Sequence, residues 1–158
     1  MSEPAIVISE LRKAYDTKLA VDGLTLTVPR GSFFGFLGPN GAGKSTTIRM
    51  LMGLIPPTSG SIEILGLKMP ADETAIKQRI GLVPDESLLF DRLTGFEFLE
   101  FVGRMYSLER ELSRERAREL MELFELSEEK RTLIAEYSKG MRKRVAMAAS
   151  LIHKPELY

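Results

Sequence analysis

The most specific chemistry in the chain lies in Gly38-Pro39-Asn40-Gly41-Ala42-Gly43-Lys44-Ser45, which fits the pattern Gly-x-x-x-x-Gly-Lys-Ser/Thr. A triphosphate carries too much charge to be held by side chains alone. Glycines let successive backbone N–H groups turn inward and form a nest for such an anion. A helix opening at Lys44 would aim its positive end at the same phosphates. Lys44 adds a mobile cation for the β- and γ-phosphates, and the Ser45 hydroxyl is a small hard ligand suited to Mg²⁺. The loop alone leaves several families open, a small-molecule kinase among them. A small GTPase is excluded for this stretch, because its guanine reader needs Asn-Lys-x-Asp and Asn40 is the only Asn.

Such a loop must join a strand to a helix. Phe33–Leu37 reads as the strand, and Ser45–Met52 as the helix, closed by Gly53. Upstream, Ala5–Ile8 is an apolar strand. Leu24, Leu26 and Val28 alternate with Thr25 and Thr27 as another, with Asp22-Gly23 as a turn. Downstream, Ser61–Leu65 reads as a strand, Thr74–Gln78 as a short helix, and Ile80–Val83 as a strand stopped by Pro84. The texture then becomes helical. Thr94 and Glu97 spell a capping box opening a helix to about Tyr106. Ser113 reads as the cap of a charged helix bearing Ala117, Leu120, Met121 and Phe124. A last helix runs from Ser138 to about His153 with Val145, Ala148, Ala149 and Ile152 on its apolar face. The expected class is α/β.

Length and composition set limits on everything else. The 158 residues are 44% hydrophobic and 28% charged, with a formal net charge of zero, which suits one globular domain. Zero net charge argues against broad electrostatic capture of nucleic acid. There is no Cys, so disulfides, thiolate metal sites and a Cys nucleophile are excluded, and the single His leaves no His-rich zinc site. No apolar run approaches the ~20 residues that span a bilayer, and the start, MSEPAIVISE, lacks a secretory pattern. A cytoplasmic chain is expected, with any membrane link made through a partner. Lys139, Arg142, Lys143 and Arg144 form a basic cluster, read as a solvated helix face rather than a nucleic-acid patch.

These motifs together resemble the nucleotide-binding domain of ATP-binding cassette (ABC) proteins. The resemblance covers nearly the whole chain. GPNGAGKST, Gly38 to Thr46, is similar to that family's Walker A. Thr58-Ser59-Gly60-Ser61-Ile62 resembles its TSG-x-I stretch, and Ile80 to Asp85 its strand into the Q-loop. Tyr137-Ser138-Lys139-Gly140-Met141 falls where its LSGGQ signature falls. The fold implied is a P-loop NTPase with an N-terminal antiparallel β subdomain (1–30 and 59–70), a P-loop core (31–58 and 71–85) and a helical subdomain with the signature helix (86–158). ATP with Mg²⁺ is the implied ligand. Gly38, Pro39, Asn40, Gly41, Ala42, Gly43, Lys44, Ser45 and Thr46 would hold the phosphates, and Tyr15 would stack on adenine. Ser138 and Gly140 would close over the γ-phosphate held by a second subunit. Lys44 would be catalytic, and Ser45 would bind the metal.

The sequence departs from the family pattern at several points. Asp85 stands where Gln is usual, as a catalytic or metal-binding candidate. Lys139 replaces the first signature Gly, and Met141 the Gln. His153 is not at the family's switch-His position. The Walker B Asp, the catalytic Glu, the D-loop and the switch His are not found, so the expected fold is incomplete at the C-terminus. The resemblance leans toward exporter-type subunits, which pair as homodimers or heterodimers and drive a transmembrane permease from the inner face of the cell membrane. Leu88, Leu89, Phe90, Phe96, Phe98 and Phe101 would lie where such a permease docks, although most are expected to serve as core. Two alternatives stay open: a nucleotide-binding module without turnover, and a soluble ABC ATPase of translation or DNA repair.

Overall fold

Ile6–Tyr15 (β1) and Lys18–Val28 (β2) form an antiparallel hairpin that turns at Asp16-Thr17. The expected turn at Asp22-Gly23 is instead a bulge inside β2: Leu11 pairs with Leu24 and Lys13 with Val21, and Gly23 takes φ 62°. A second bulge lies in β1, where Ile8 pairs with Leu26 and Leu11 with Leu24, and Glu10 takes φ 47°. The extra residue resets the inward face, so Ile8 and Leu11 are both fully buried although they are three apart. Ser59–Ile64 (β3) lies antiparallel on the other side of β1, with Ile6 opposite Ile64 and Ile8 opposite Ile62. Gly60 fits there because a Cβ would sit 2.5 Å from the Glu10 carbonyl oxygen. Leu67–Lys68 (β4) adds a short edge.

The computed structural model describes residues 3–84, 89–129 and 131–158. The chain divides into two units, Met1–Lys77 and Gln78–Tyr158. In the first, one sheet forms among the described residues, in the order β2-β1-β3-β4. It is joined by helices Lys44–Leu51 (α1) and Glu73–Lys77 (α2). Met50 of α1 and Ile76 of α2 are as deeply buried as Ile8 and Ile64 of the sheet. Each such side chain contributes about 1.5–3 kcal/mol when withdrawn from water.

The expected strand Phe33–Leu37 does not form a ladder among the described residues. Its local pattern is right, yet a strand exists only against a neighbour. Phe33 and Leu37 stand 109% and 92% exposed. Ile80–Val83 likewise makes only a single parallel bridge, Ile80 to Leu157, with Gly81 N–H donating to the Leu157 carbonyl at 2.9 Å.

The second unit is built on Gly95–Met105 (α3), Arg110–Leu123 (α4) and Lys139–Leu151 (α5). The capping box is formed as expected: Glu97 N–H donates to the Thr94 hydroxyl, and Thr94 N–H donates back to the Glu97 carboxylate at 2.9 Å. Those bonds hold the Glu97 carboxyl below its ordinary pKa, the backbone bond from Thr94 contributing most. Leu99, Ala117, Met121, Val145, Ala148 and Ile152 interlock as the core. Ser113 is not a cap. Glu109 holds that position, and Ser113 is buried one turn into α4, its hydroxyl donating to the Glu100 carbonyl of α3 at 2.8 Å. Opposite it Gly103 has no room for a Cβ, which would fall 2.3 Å from the Ser113 oxygen. Of the aromatic stretch, Phe98 is core, while Phe90 and Phe101 stack edge-on with half-exposed rings; Leu88 lies outside the described residues.

Candidate functional site

The phosphate loop folds as its glycines require. Gly41 and Gly43 both sit at φ 86°, in the left-handed region, and Ala42 N–H closes a turn onto the Pro39 carbonyl at 3.2 Å. Gly43 is also the N-cap of α1, and no side chain among the described residues caps that helix. The first-turn amides therefore point out of the helix start with no intrahelical acceptor. No acidic residue lies in the first turn to compete with an anion. Helical bonding begins at Thr47, whose N–H and hydroxyl both reach the Gly43 carbonyl, at 2.8 and 3.0 Å. Buried Thr47 thus fixes the helix start from below, while Ser45 stays exposed above it.

Lys44 bends back across its own loop. Its ammonium donates to the carbonyls of Gly38 and Pro39 at 2.7 and 2.9 Å. The cation is thereby held beside the amides that would receive a phosphate chain, and one loop supplies both a nest and a countercharge.

The loop is seated on the sheet. A Cβ on Gly43 would meet the Ala20 carbonyl oxygen at 2.5 Å and Val21 Cγ2 at 3.0 Å, so the N-cap of α1 rests directly on β2. Ala20 is two residues from Lys18, the partner of Tyr15 at the hairpin end. That is about 7 Å along a strand. Tyr15, 44% exposed, therefore stands at the same end of the sheet as the loop. Tyr15 and residues 38–46 thus lie in the same unit.

Ser138 and Gly140 belong to the second unit. Ser138 is the N-cap of α5, its hydroxyl accepting from Met141 N–H at 3.3 Å. Gly140 is exposed in the first turn, and a Cβ there would find only the Ser138 oxygen, 3.9 Å away. Asp85 lies outside the described residues. Half of the basic cluster turns inward. Arg142 donates to the Asp91 carboxylate at 2.7 Å and the Ile134 carbonyl at 2.9 Å, and Arg144 to the Phe124 carbonyl at 3.2 Å. Lys139 and Lys143 are left exposed.

No cluster of three or more His, Asp or Glu able to hold a metal occurs among the described residues. Mg²⁺ bound together with phosphates would need few protein ligands, and the exposed Ser45 hydroxyl is one oxygen that could serve.

His153, which the sequence places away from the switch-His position, packs against an aromatic ring. It lies flat against Tyr106, with ring centroids 3.7 Å apart and planes 1° from parallel. Its Nε2 donates to the Ile80 carbonyl at 2.9 Å, and its buried Nδ1 has no hydrogen-bond partner among the described residues. Burial pushes its pKa down, opposed by the Ile80 bond and reinforced by Arg116. Spacing could not show this contact, because the two rings follow the ends of different helices, α3 and α5.

Known proteins are similar to this chain in sequence and in fold. The linearmycin resistance ATP-binding protein LnrL of Bacillus subtilis (strain 168) is 44% identical over 93% of this chain and 47% of its own length. The daunorubicin resistance ATP-binding protein DrrA3 of Streptomyces coeruleorubidus is 43% identical over 99% of this chain and 50% of its own. The chain thus spans about half the length of the curated relatives it matches. A solved structure described as the ATP binding subunit of an ABC transporter superposes with a TM-score of 0.85 at 28% identity, covering 96% of this chain and 63% of that one. The family described as ABC transporter matches residues 21–158, and with that match the chain belongs to the ABC transporter family.

Proposed function

We propose that the chain binds Mg-ATP at residues 38–46 and is the ATP-binding part of an exporter, in which nucleotide binding and hydrolysis drive a transmembrane permease. The observation that carries this is the uncapped start of α1 behind two left-handed glycines, with Lys44 held across the loop. Backbone amides and the Lys44 ammonium neutralise the β- and γ-phosphates. Bound beside Ser45, Mg²⁺ would supply further charge neutralisation. Tyr15 stacks on the base. The signature segment at Ser138 and Gly140, within the helical part 86–158, would complete the nucleotide site of a second copy or a related subunit. Asp85 is the candidate for orienting water or metal near the γ-phosphate.

The exporter reading is supported by relatives named for resistance to linearmycin and daunorubicin. No helix among the described residues is long and apolar enough to cross a membrane. In this reading attachment at the inner face of the membrane would come through the permease, and Arg142 and Arg144 of α5 serve to tie down Asp91 and Phe124 instead of binding nucleic acid. Calorimetric titration of Lys44→Ala tests the site. Mg-ATP affinity is expected to fall at least tenfold, about 1.4 kcal/mol. Unchanged affinity would overturn the assignment.

A further inference from the structure

Tyr15 does not stand alone at the hairpin end. Lys13 places its ammonium 5.1 Å from the centre of the Tyr15 ring, inside the range of a cation–π contact. The same ammonium donates to the Pro56 carbonyl at 2.7 Å, on the segment that follows α1. Two more bonds tie that segment to β1: Thr58 N–H to the Arg12 carbonyl at 2.9 Å, and Ala14 N–H to the Thr58 hydroxyl at 3.0 Å. The chain from Arg12 to Ala14 is therefore held from the 56–58 segment, and Lys13 is fixed rather than swinging free. A fixed cation beside an aromatic ring does two things. It occupies one face, so a base must approach the other. It also draws electron density from the ring, which strengthens stacking against an electron-rich purine.

We infer that Lys13 is a positioning residue for adenine, presenting the free face of Tyr15 to the base. This rests on the proposal that Tyr15 stacks on adenine. Lys13 carries positive charge near a site for anions, so the test must separate an effect on the base from an effect on the phosphates. Binding of Mg-ATP and of magnesium tripolyphosphate is measured by calorimetry on the full chain and on Lys13→Met, Lys13→Arg, Tyr15→Ala and the double variant Lys13→Met/Tyr15→Ala. Lys13→Met is expected to weaken ATP on the order of threefold and leave tripolyphosphate nearly unchanged. Lys13→Arg, which keeps both the cation and the donor, is expected to restore ATP binding. In the Tyr15→Ala background, Lys13→Met is expected to add no further loss, because the ring it acts through is gone.

Equal weakening of both ligands by Lys13→Met would overturn the inference in favour of simple charge attraction. An undiminished Lys13→Met loss in the Tyr15→Ala background, or no loss at all, would overturn it too. A lower melting temperature with an unchanged ratio of ATP to tripolyphosphate affinity would reduce Lys13 to a structural tie. If Tyr15→Ala itself leaves that ratio unchanged, the adenine reading falls and the role of Lys13 falls with it. If Tyr15→Ala lowers the ratio and Lys13→Met does not, only the inference about Lys13 falls.

Discussion

Gly41 and Gly43 share one backbone angle and differ in what surrounds them, so alanine at each separates two effects. Both sit at φ 86°, where an L side chain is strained by about 1–2 kcal/mol. At Gly41 no atom of the described residues lies within 4 Å of an added Cβ, so strain is the penalty. The exposed loop can relieve it by leaving the left-handed region, which breaks the nest rather than the fold. Gly41→Ala is therefore expected to weaken Mg-ATP about tenfold and leave the melting temperature near that of the parent. At Gly43 the Cβ also strikes the Ala20 carbonyl oxygen at 2.5 Å, on rigid sheet backbone that cannot swing aside. Crowding of that kind adds about 1–3 kcal/mol. The total of about 2–5 kcal/mol divides between affinity and stability, because α1 must lift off β2. Gly43→Ala is expected both to melt lower and to bind Mg-ATP more weakly than Gly41→Ala. Titration calorimetry with thermal melting on each variant measures both quantities. Equal behaviour of the two variants, or a Gly43→Ala protein that melts like the parent, would refute the seating of the loop on β2.

Other perturbations address the second unit. The neutral His153 ring has a folded pKa pushed below its unfolded value of about 6.5, so the unfolded chain binds the proton more readily. The stability this contributes is present above about pH 6.5 and is lost as pH falls through the folded value. Melting temperature should therefore drop between pH 7.5 and pH 5.5 more steeply in the parent than in His153→Gln, and equal slopes would refute it. Ser113→Ala should lose about 1 kcal/mol in urea unfolding, for the bond to Glu100. Gly103→Ala should lose about 1–3 kcal/mol by overpacking. Combined, the two should cost less than their sum, because the oxygen that a Gly103 Cβ would strike is gone; strict additivity would contradict the contact.

What could be read from the sequence was whatever is decided by neighbours in the chain. The phosphate loop, the start of α1 and the Thr94–Glu97 capping box depend on residues a few positions apart, and each formed as expected. Only its distance along the chain from the loop singled out Tyr15 as a candidate. The misreadings share a physical origin. Phe33–Leu37 has a strand's composition, but a ladder is a property of two segments. Asp22-Gly23 has a turn's composition, but β1 pairs straight past it and turns the pair into a bulge. Ser113 has a cap's side chain, but the Glu100 carbonyl of another helix claims its hydroxyl, and Glu109 starts the helix one turn earlier. The link from Lys13 to Pro56 spans 43 positions, and no local pattern announces it.

Arg142 and Arg144 give α5 a mechanical character. One guanidinium spans 51 positions to Asp91 and also grips Ile134; the other holds Phe124 and Glu125 where α4 ends. Both anchors lie within the first two turns, just behind Ser138, so the front of this helix is moored to two separate stretches of chain. A displacement of the segment around Asp91 would reach Ser138 through this charged tether as well as through the close-packed apolar interior. Raising the ionic strength would slacken that line without melting the helix it is tied to.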